Sequence, residues 1–338
     1  MKTLKLAVLG YGNAGRAYGK LLTAKTPEIR EKYKAEVTVT AIATKTKGSL
    51  IDMGGVDLEK IERELEDQGR FTDGVEMGAL RVAETADYDV LIELTPLDIF
   101  SGQPATDHIK AALKRGKHAI TANKGPIAWA YRELRDLAEE NGGMFFHETT
   151  VMDGTPVFNL ADETLKMCKV TEINGILNTT TNFILDELGK GVSYEEAIAE
   201  GRKRGFVEAD PSLDVGGWDA AAKVTALMNV LMQAELTPPE ISRKGIEGIT
   251  AGQIADAKKR GKVIKLICGG KIENGKAVGY VGPEEIDQND LMASVSGTSS
   301  VVSITTDLMG KVSIVEHDPE IEQTAYGVFS DTLRIISS

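Results

Sequence analysis

The stretch LAVLGYGNAGRAYG, residues Leu6–Gly19, decides the fold of the amino-terminal part of the chain. An apolar segment typical of a buried strand runs into Gly10, and a segment with helical character follows Gly15. A strand followed by G-x-G-x-x-G and a helix is typical of dinucleotide binding, because the glycines permit a tight turn and close approach of the backbone to a pyrophosphate. The alternative is a tight turn without a ligand. We expect a dinucleotide to bind along Gly10, Gly12, Asn13, Ala14 and Gly15.

The rest of residues 1–147 repeats the alternation of short apolar strands with helical segments. This pattern predicts a parallel sheet covered on both faces, as in a Rossmann domain, and so an α/β fold class. The predicted strands are Leu4–Leu9, Glu36–Ala43, Asp89–Leu94, Lys117–Thr121 and Met144–His147. The predicted helices are Asn13–Leu22, Asp107–Lys114 and Ile127–Glu140.

From residue 148 the pattern changes to that of a mixed α+β domain, predicted over residues 148–318. Ser193 and Glu196 have the spacing of a capping box and fix one helix start. We expect helices at Phe158–Met167, Thr181–Leu188, Ser193–Lys203, Gly217–Ala234 and Thr250–Lys259. We expect strands at Thr171–Leu177, Val263–Cys268 and Ala277–Val281, within Leu291–Ile304, and at Lys311–Val315. Residues 319–338 hold a final helix, Ile321–Ile336, which returns to the core of one of the two domains.

Composition excludes several partners. The formal net charge of the 338-residue chain is −12, which argues against nucleic acid or an anionic membrane as a main partner. Its two cysteines, Cys168 and Cys268, have no metal-binding or redox spacing and fit a reducing compartment. No uncharged stretch reaches the roughly 18 residues needed to span a bilayer. We therefore expect a soluble cytoplasmic protein.

A second stretch, EADPSLDVGGWDAAAKVTALMNV (Glu208–Val230), places a charged pair at the head of an apolar helix. Asp219 and Lys223 are four residues apart, so they share one face of the helix and should meet. An exposed helical salt bridge is the ordinary interpretation. Because the remainder of this helix is almost entirely apolar, we expect the pair to be largely buried. Burial of paired ions is costly and is often associated with function.

Cofactor choice depends on the end of the second strand, where NAD-selective domains usually place a carboxylate for the adenosine ribose. Here the strand ends at Ala43-Thr44 and is followed by Lys45 and Lys47, with no acidic residue. The two lysines favour NADP, with NAD as the other possibility. The alternative is a solvated loop that happens to carry lysines.

The whole chain resembles the homoserine dehydrogenase family, in the short form without a C-terminal regulatory domain. The ordered series Glu208, Asp210-Pro211, Asp214, Gly217, Asp219 and Lys223 is highly specific for that family. Further matching segments are ELTPLDIFSGQPATDHIKAALKRGKHAITANKGPIA (Glu93–Ala128), GILNTTTNFIL (Gly175–Leu185), GIEGITAGQIADAKKRGKVIKLI (Gly245–Ile267), TDLMGKVSI and TAYGVFSDTLRI.

The resemblance implies a Rossmann domain joined to a mixed α+β domain that binds an amino-acid substrate and forms a homodimer. By this resemblance Lys223 transfers a proton, Glu208 and Asp219 bind the substrate ammonium, and Asp214 supports them. The chemistry of these residues agrees with the implied roles. An ammonium group favours carboxylates, and hydride transfer to an aldehyde develops an alkoxide that requires a proton.

The resemblance also assigns residues near the nicotinamide. Lys124 is implied to lie between nicotinamide and substrate, although Asn-Lys-Gly-Pro is also simply turn-prone. Its neighbours in the cofactor site are implied to be Thr95, Pro96 and Asn123, and a monovalent cation is implied near Glu148 and Val151.

Three positions depart from the family pattern. Thr179 stands where the family usually has glycine, and Met152-Asp153-Gly154 replaces a glycine run. The segment Glu316–Glu320 replaces a glycine-rich turn, so we expect this end of the pocket to be shaped differently. Two alternatives to a homoserine dehydrogenase therefore stay open: a sister dehydrogenase for another amino or hydroxy acid, and a non-catalytic dinucleotide sensor.

Overall fold

A computed structural model describes the whole chain, Met1–Ser338, which divides into two compact units. Unit 1 contains Met1–Pro156 together with Glu320–Ser338, and unit 2 contains Val157–Pro319. None of the helices combines the length and the apolar character needed to cross a bilayer.

Unit 1 alternates strands and helices as the sequence predicts. Its strands are β1 (Lys2–Leu9), β2 (Ala35–Ala43), β3 (Ser49–Ile51), β4 (Val90–Glu93), β5 (His118–Thr121) and β6 (Phe145–Phe146). Its helices are α1 (Asn13–Tyr33), α2 (Leu58–Gln68), α3 (Ala79–Thr85), α4 (Ala105–Lys114) and α5 (Lys124–Glu140), followed by a 3₁₀ turn at Glu148–Thr150.

The sheet of unit 1 has the strand order β3-β2-β1-β4-β5-β6. All neighbours pair in parallel except β3, which is antiparallel to β2. Strand order reverses direction between β1 and β4, and ligands of open α/β sheets bind at the carboxyl ends of the strands at such a switch point. The fold class predicted for this half is confirmed.

Both faces of this sheet are buried, which explains the continuous apolar character of β1. Leu6 and Val8 pack into one core with Tyr18 of α1, whereas Ala7 and Leu9 pack into a second core on the opposite face. The period-2 alternation of a strand sends successive side chains to the two cores.

The final helix of the chain belongs to unit 1. It is α13 (Ile321–Ser337), and it packs along α1 through Val328 and Ile335. Tyr18 and Thr332, both buried, join the two helices by a hydroxyl–hydroxyl hydrogen bond of 3.0 Å.

Unit 2 is the predicted mixed α+β arrangement. Its helices are α6 (Phe158–Thr164), α7 (Thr179–Gly189), α8 (Tyr194–Lys203), α9 (Ser212–Val215), α10 (Trp218–Leu231), α11 (Ala251–Lys259) and α12 (Leu291–Ser294). Its strands are β7 (Val170–Ile176), β8 (Ser242–Arg243), β9 (Lys262–Glu273), β10 (Lys276–Asp287), β11 (Ser300–Thr306) and β12 (Gly310–Glu316). The sheet order is β12-β11-β7-β9-β10-β8.

Several elements differ from the sequence prediction. Strand β3 and helices α2 and α3 were not predicted, because β3 is three residues long and α2 buries only Ile61 and Leu65. The strand predicted within Leu291–Ile304 is wrong at its start, where Asp290 caps the short helix α12 and the strand begins at Ser300. The capping box of Ser193 and Glu196 is present as predicted.

Candidate functional site

The glycine loop of unit 1 lies between β1 and α1, and its three glycines have different surroundings. Gly10 has φ +91°, and a methyl group there would lie 2.2 Å from the carbonyl oxygen of Leu94. A methyl group on Gly15 would lie 2.6 Å from the oxygen of Gly10, so this glycine permits the helix to pack closely. At Gly12, by contrast, nothing lies within 4 Å of an added methyl group.

The same loop leaves the N-terminus of α1 open to an anion. Gly12 is the N-cap and supplies no capping side chain, and the first turn of the helix contains no acidic residue. Gly12 and Asn13 are exposed, and Ala14 is half-buried. A helix N-terminus with available amides and no carboxylate attracts phosphate. The residues present therefore fit the pyrophosphate of a dinucleotide.

At the end of β2, the two lysines have different environments. Lys45 is exposed, whereas Lys47 is half-buried and its ammonium donates a hydrogen bond of 2.8 Å to the carbonyl oxygen of Tyr11. Lys47 therefore links the loop after β2 to the glycine loop. Its ammonium has three N–H donors, so this bond does not exhaust its capacity to bind a phosphate.

The loops that follow β4 and β5 bring together the residues predicted at the nicotinamide. The side-chain amide of Asn123 donates a 3.2 Å hydrogen bond to the carbonyl oxygen of Thr95. Its Oδ1 accepts a 3.0 Å hydrogen bond from the backbone N–H of Gly125, and Asn123 thereby caps α5. Lys124 is the first residue of α5 and is half-buried, and Pro96 is exposed. These residues occupy the carboxyl ends of adjacent parallel strands.

Glu148 and Val151, predicted to lie near a monovalent cation, are both buried in unit 1. The Glu148 amide donates a 3.0 Å hydrogen bond to the carboxylate of Asp331 on α13. The structure contains no group of three or more His, Cys, Asp or Glu side chains placed to hold a metal ion. The monovalent cation site stays a prediction.

In unit 2, the charged pair at the head of α10 is formed as predicted. The Lys223 ammonium lies 3.6 Å from Oδ2 of Asp219 and donates a 2.8 Å hydrogen bond to the carbonyl oxygen of Leu177. The side chains of Lys223 and Asp219 are 17% and 16% exposed, so a small opening to solvent remains. The polar Thr225 and Asn229 are buried further along the same helix, as its apolar sequence predicts.

An amide joins the two aspartates. Asn178 Nδ2 donates to Oδ1 of Asp214 at 2.7 Å and to Oδ2 of Asp219 at 2.9 Å. Its Oδ1 accepts from the amide and hydroxyl of Thr181, at 2.9 and 2.8 Å, and so caps α7. The sequence interpretation did not include Asn178 among the site residues.

The electrostatics of this cluster favour the uptake of positive charge. Burial raises the pKa of Asp214, and the carboxylate of Asp219 raises it further, while hydrogen bonds from Asn178 and Thr180 and the charge of Lys223 oppose the shift. A cationic group added beside these two carboxylates would relieve their repulsion.

Glu208 is not assembled with this cluster. Its side chain is exposed and makes no hydrogen bond or ion pair with Asp214, Asp219 or Lys223, although its carbonyl oxygen accepts from Arg202 at 3.3 Å. The structure therefore brings together three of the four predicted unit 2 residues.

Comparison with known proteins decides the family. The model of the homoserine dehydrogenase family matches residues 156–333, and the model of its NAD-binding domain matches residues 10–148. A homoserine dehydrogenase from Methanocaldococcus jannaschii is 37% identical over 99% of both chains. The chain belongs to the homoserine dehydrogenase family. It is accordingly an NAD(P)-dependent oxidoreductase.

Other members of the homoserine dehydrogenase family differ in their cofactors. An NAD(+)-dependent homoserine dehydrogenase from Pseudomonas canavaninivorans is 33% identical over 100% of this chain and 97% of its own length. Among solved structures, a putative homoserine dehydrogenase from Archaeoglobus fulgidus has TM-score 0.88 and 32% identity, covering 98% of this chain and 99% of its own. A hyperthermophilic archaeal homoserine dehydrogenase in complex with NADPH has TM-score 0.83 and 27% identity, covering 98% and 97%.

Two departures from the family's glycine pattern retain a left-handed backbone. Asp153 has φ +42° and Asp318 has φ +40°. The Asp318 carboxylate accepts from the hydroxyl of Thr298 at 2.7 Å. Aspartate tolerates this conformation better than most residues. Both aspartates therefore have a backbone conformation that glycine adopts readily, and Asp318 places a carboxylate there.

Proposed function

We propose that the enzyme interconverts L-homoserine and L-aspartate 4-semialdehyde with a nicotinamide cofactor. The observation that carries this substrate assignment is the pair of carboxylates, Asp214 and Asp219, joined by Asn178 and placed beside Lys223. A substrate with an ammonium and a reactive hydroxyl or aldehyde matches two carboxylates and a proton donor.

The proposed roles follow from the contacts. Asp219 and Asp214 attract the substrate ammonium, and Asn178 keeps the two carboxylates at a fixed separation. Lys223 gives a proton to the oxygen that becomes an alkoxide during aldehyde reduction and takes it back during alcohol oxidation. Glu208 is a further proposed ligand of the ammonium, which requires its exposed loop to change conformation.

The roles proposed for unit 1 concern the cofactor, whose nicotinamide supplies the hydride when bound. The glycine loop holds the pyrophosphate on the open helix N-terminus, with Gly12 leaving space for it. The nicotinamide end of the cofactor is bound by Thr95, Pro96, Asn123 and Lys124. We assign residues 1–147 to cofactor binding and 148–318 to substrate binding and assembly.

The catalytic proposal is tested by replacing Lys223 with methionine, which keeps the stem and removes the proton donor. Turnover of homoserine should fall by roughly 10²–10⁴ while NADPH binding persists. Lys259→Met is the matched control, because Lys259 is an exposed helical lysine paired with Asp256 at 2.8 Å. Turnover of Lys223→Met close to that of the control would refute the assignment.

A panel of hydroxy amino acids and hydroxy acids tests the substrate. Homoserine should have the highest kcat/KM. A higher value for another compound would favour the sister-dehydrogenase alternative, and binding of NADPH without turnover of any compound would favour the sensor.

We further propose a preference for NADP(H) of about ten-fold, since two partly exposed ionic contacts, from Lys45 and Lys47, contribute up to roughly 1 kcal/mol each. Lys45, exposed beside the end of β2, should act only on the 2′-phosphate, so Lys45→Ala should weaken NADPH binding and spare NADH. Lys47 also holds the glycine loop through Tyr11, so Lys47→Ala should weaken both cofactors. Equal losses for both cofactors in Lys45→Ala, or a preference of the unmodified enzyme for NAD, would reject this proposal.

The proposed assembly is a cytoplasmic homodimer formed through unit 2. Its β12 is an edge strand, and the β11–β12 turn exposes Leu308 and Met309 at 70% and 63%. Exposed edges and apolar patches are normally covered. Light scattering at micromolar concentration should give the mass of a dimer, and a monomer mass would contradict the proposal.

A further inference from the structure

The end of β4 contains a carboxylate that no role assigned above uses. Glu93 is the last residue of this strand and is fully buried, with 0% of its surface exposed. A carboxylate buried to this extent is costly unless it is well hydrogen-bonded.

The Glu93 carboxylate is a hydrogen-bond acceptor shared by two loops. Its Oε1 accepts from the amide of Thr95 at 3.1 Å and also from the Thr95 hydroxyl. Its Oε2 lies 3.4 Å from the hydroxyl of Thr121, the last residue of β5, although the backbone oxygen of Glu93 is a nearer acceptor of that hydroxyl, at 3.2 Å. The buried His108 of α4 places Nδ1 3.5 Å from Oε1 and has no closer partner for that atom.

Thr95 and Thr121 transmit these contacts to the start of α5. The carbonyl oxygen of Thr95 accepts a 3.2 Å hydrogen bond from the side-chain amide of Asn123. The Thr121 hydroxyl accepts a 2.9 Å hydrogen bond from the backbone N–H of Asn123. Asn123 in turn caps the helix that begins with Lys124. Glu93 thus joins two loops at the carboxyl edge of the sheet: the loop after β4 through its carboxylate, and the loop after β5 through its carboxylate and its backbone oxygen.

The glycine loop packs against the same strand end. The backbone amide of Leu94 donates a 2.7 Å hydrogen bond to the carbonyl oxygen of Leu9. The carbonyl oxygen of Leu94 occupies the space that a side chain at Gly10 would need. A shift of residues 93–95 would therefore reach the three loops after β1, β4 and β5, which are proposed to bind the cofactor.

We propose that Glu93 is a positioning residue for the dinucleotide, acting through Thr95 and Asn123. The proposal rests on the proposed cofactor-binding role of those two residues. Glu93 touches neither cofactor nor substrate in this role: it orients the hydroxyl of Thr95 and holds its carbonyl toward Asn123.

Glu93→Gln tests the proposal with almost no change in shape. The glutamine keeps one acceptor oxygen. Its NH₂ group faces a hydroxyl that in the parent protein donates to the Glu93 carboxylate. Since hydrogen bonds to charged groups are the stronger ones, the Kd values of NADPH and NADH should both rise roughly ten-fold. Equal effects on the two cofactors are expected, because Glu93 lies away from the loop that carries Lys45. Kd is measured by cofactor fluorescence without substrate, so the result does not depend on the assignment of homoserine.

A double-mutant cycle separates positioning from general damage. Thr95→Val removes the hydroxyl through which Glu93 acts, so adding Glu93→Gln to it should weaken cofactor binding by much less than the same change does alone. Thr40→Val is the control for a lost buried hydroxyl. Thr40 lies within β2, and its hydroxyl donates a 2.8 Å hydrogen bond to the carbonyl oxygen of Asp87. This control should lower Tm and leave both Kd values unchanged.

Three outcomes would overturn the inference. One is an unchanged Kd in Glu93→Gln, and the second is full additivity of Glu93→Gln and Thr95→Val. The third is a rise in Kd in Thr40→Val equal to that in Glu93→Gln, which would mean that destabilisation alone weakens binding. Absence of homoserine turnover in the unmodified enzyme, with the cofactor Kd values behaving as expected, would count against the proposed reaction instead.

Discussion

At the scale of single residues, the amide of Asn178 performs two tasks that belong to different parts of unit 2. Its oxygen caps α7, and its nitrogen bridges the carboxylates of Asp214 and Asp219. Without the bridge, two negative groups would face each other across a half-buried space. The capping task supports the fold, whereas the bridging task supports the site.

Asn178→Asp separates the two tasks. Aspartate is as good an N-cap as asparagine, so α7 should keep its start, although a third buried carboxylate beside Asp214 and Asp219 should lower Tm. The bridging donor is replaced by a third carboxylate, however, and the aspartates lose their fixed separation. We expect kcat/KM for homoserine to fall roughly 10- to 100-fold. Asn178→Ala should lose both tasks, and a kcat/KM of Asn178→Asp close to that of the parent would contradict the bridging task.

Asp214 should cost stability at neutral pH. Because burial raises its pKa in the folded protein, Asp214 holds its proton more firmly folded than unfolded, and stability falls as pH rises through that window. Asp214→Asn should therefore raise Tm by a few degrees at pH 7, with a smaller gain near pH 4, and should lower kcat/KM for homoserine. Calorimetry of the two proteins at both pH values checks this; an Asn variant less stable than the parent at pH 7 would show that the charge contributes to the fold.

At the scale of elements, the β1–loop–α1 unit was predictable because its signal is local. Each glycine lies within a few residues of the strand and helix that it joins, and the strand ends carrying Thr95 and Asn123 follow from the same alternation. The Asn178 bridge could not be predicted in that way, since it joins residues 36 and 41 positions apart. Glu93 was hidden for a related reason: it completes an apolar strand and contacts His108 of a helix.

Other misses had signals that were not used. Ile61 and Leu65 have helical spacing and follow a capping Asp57, which indicates α2. Asn274-Gly275, with φ values of +50° and +76°, forms the turn between β9 and β10, and an Asn-Gly pair predicts a hairpin. That signal would have extended both strands to the turn.

The glycine loop also gives a contrast between two neighbouring substitutions. Gly12→Ala places a methyl group in open space with an ordinary φ of −84°, so the protein should fold with nearly unchanged Tm. The methyl group occupies the approach to the helix N-terminus, so the Kd of NADPH should rise about ten-fold or more. Gly15→Ala should instead lower Tm, because its methyl group would lie 2.6 Å from the Gly10 oxygen. Normal binding of NADPH by Gly12→Ala would contradict the proposal that the pyrophosphate binds at this loop.

At the scale of the whole molecule, one buried histidine links the stability of unit 1 to pH. His147 follows β6 and packs edge-on against the rings of Tyr131 and Phe145, with centroids 5.3 and 5.4 Å away. Burial lowers its pKa from 6.5 to about 4. The folded protein therefore keeps this imidazole neutral under conditions in which the unfolded chain protonates it.

The sign of the effect follows from proton binding. Between pH 6.5 and about 4 the unfolded state binds more protons at this position, so the contribution of His147 to the free energy of unfolding should decrease as pH falls through that range and stay level above it. The full effect of this single group is roughly 3 kcal/mol. His147→Phe keeps an aromatic ring and removes the titration, so its stability should depend less on pH even where the substitution lowers stability at pH 7. Urea unfolding of both proteins at pH 7, 6, 5 and 4.5 measures the difference, with His317→Gln on an exposed segment as the control that should follow the parent. Parallel pH curves for the parent and His147→Phe would show that other groups carry the acid sensitivity.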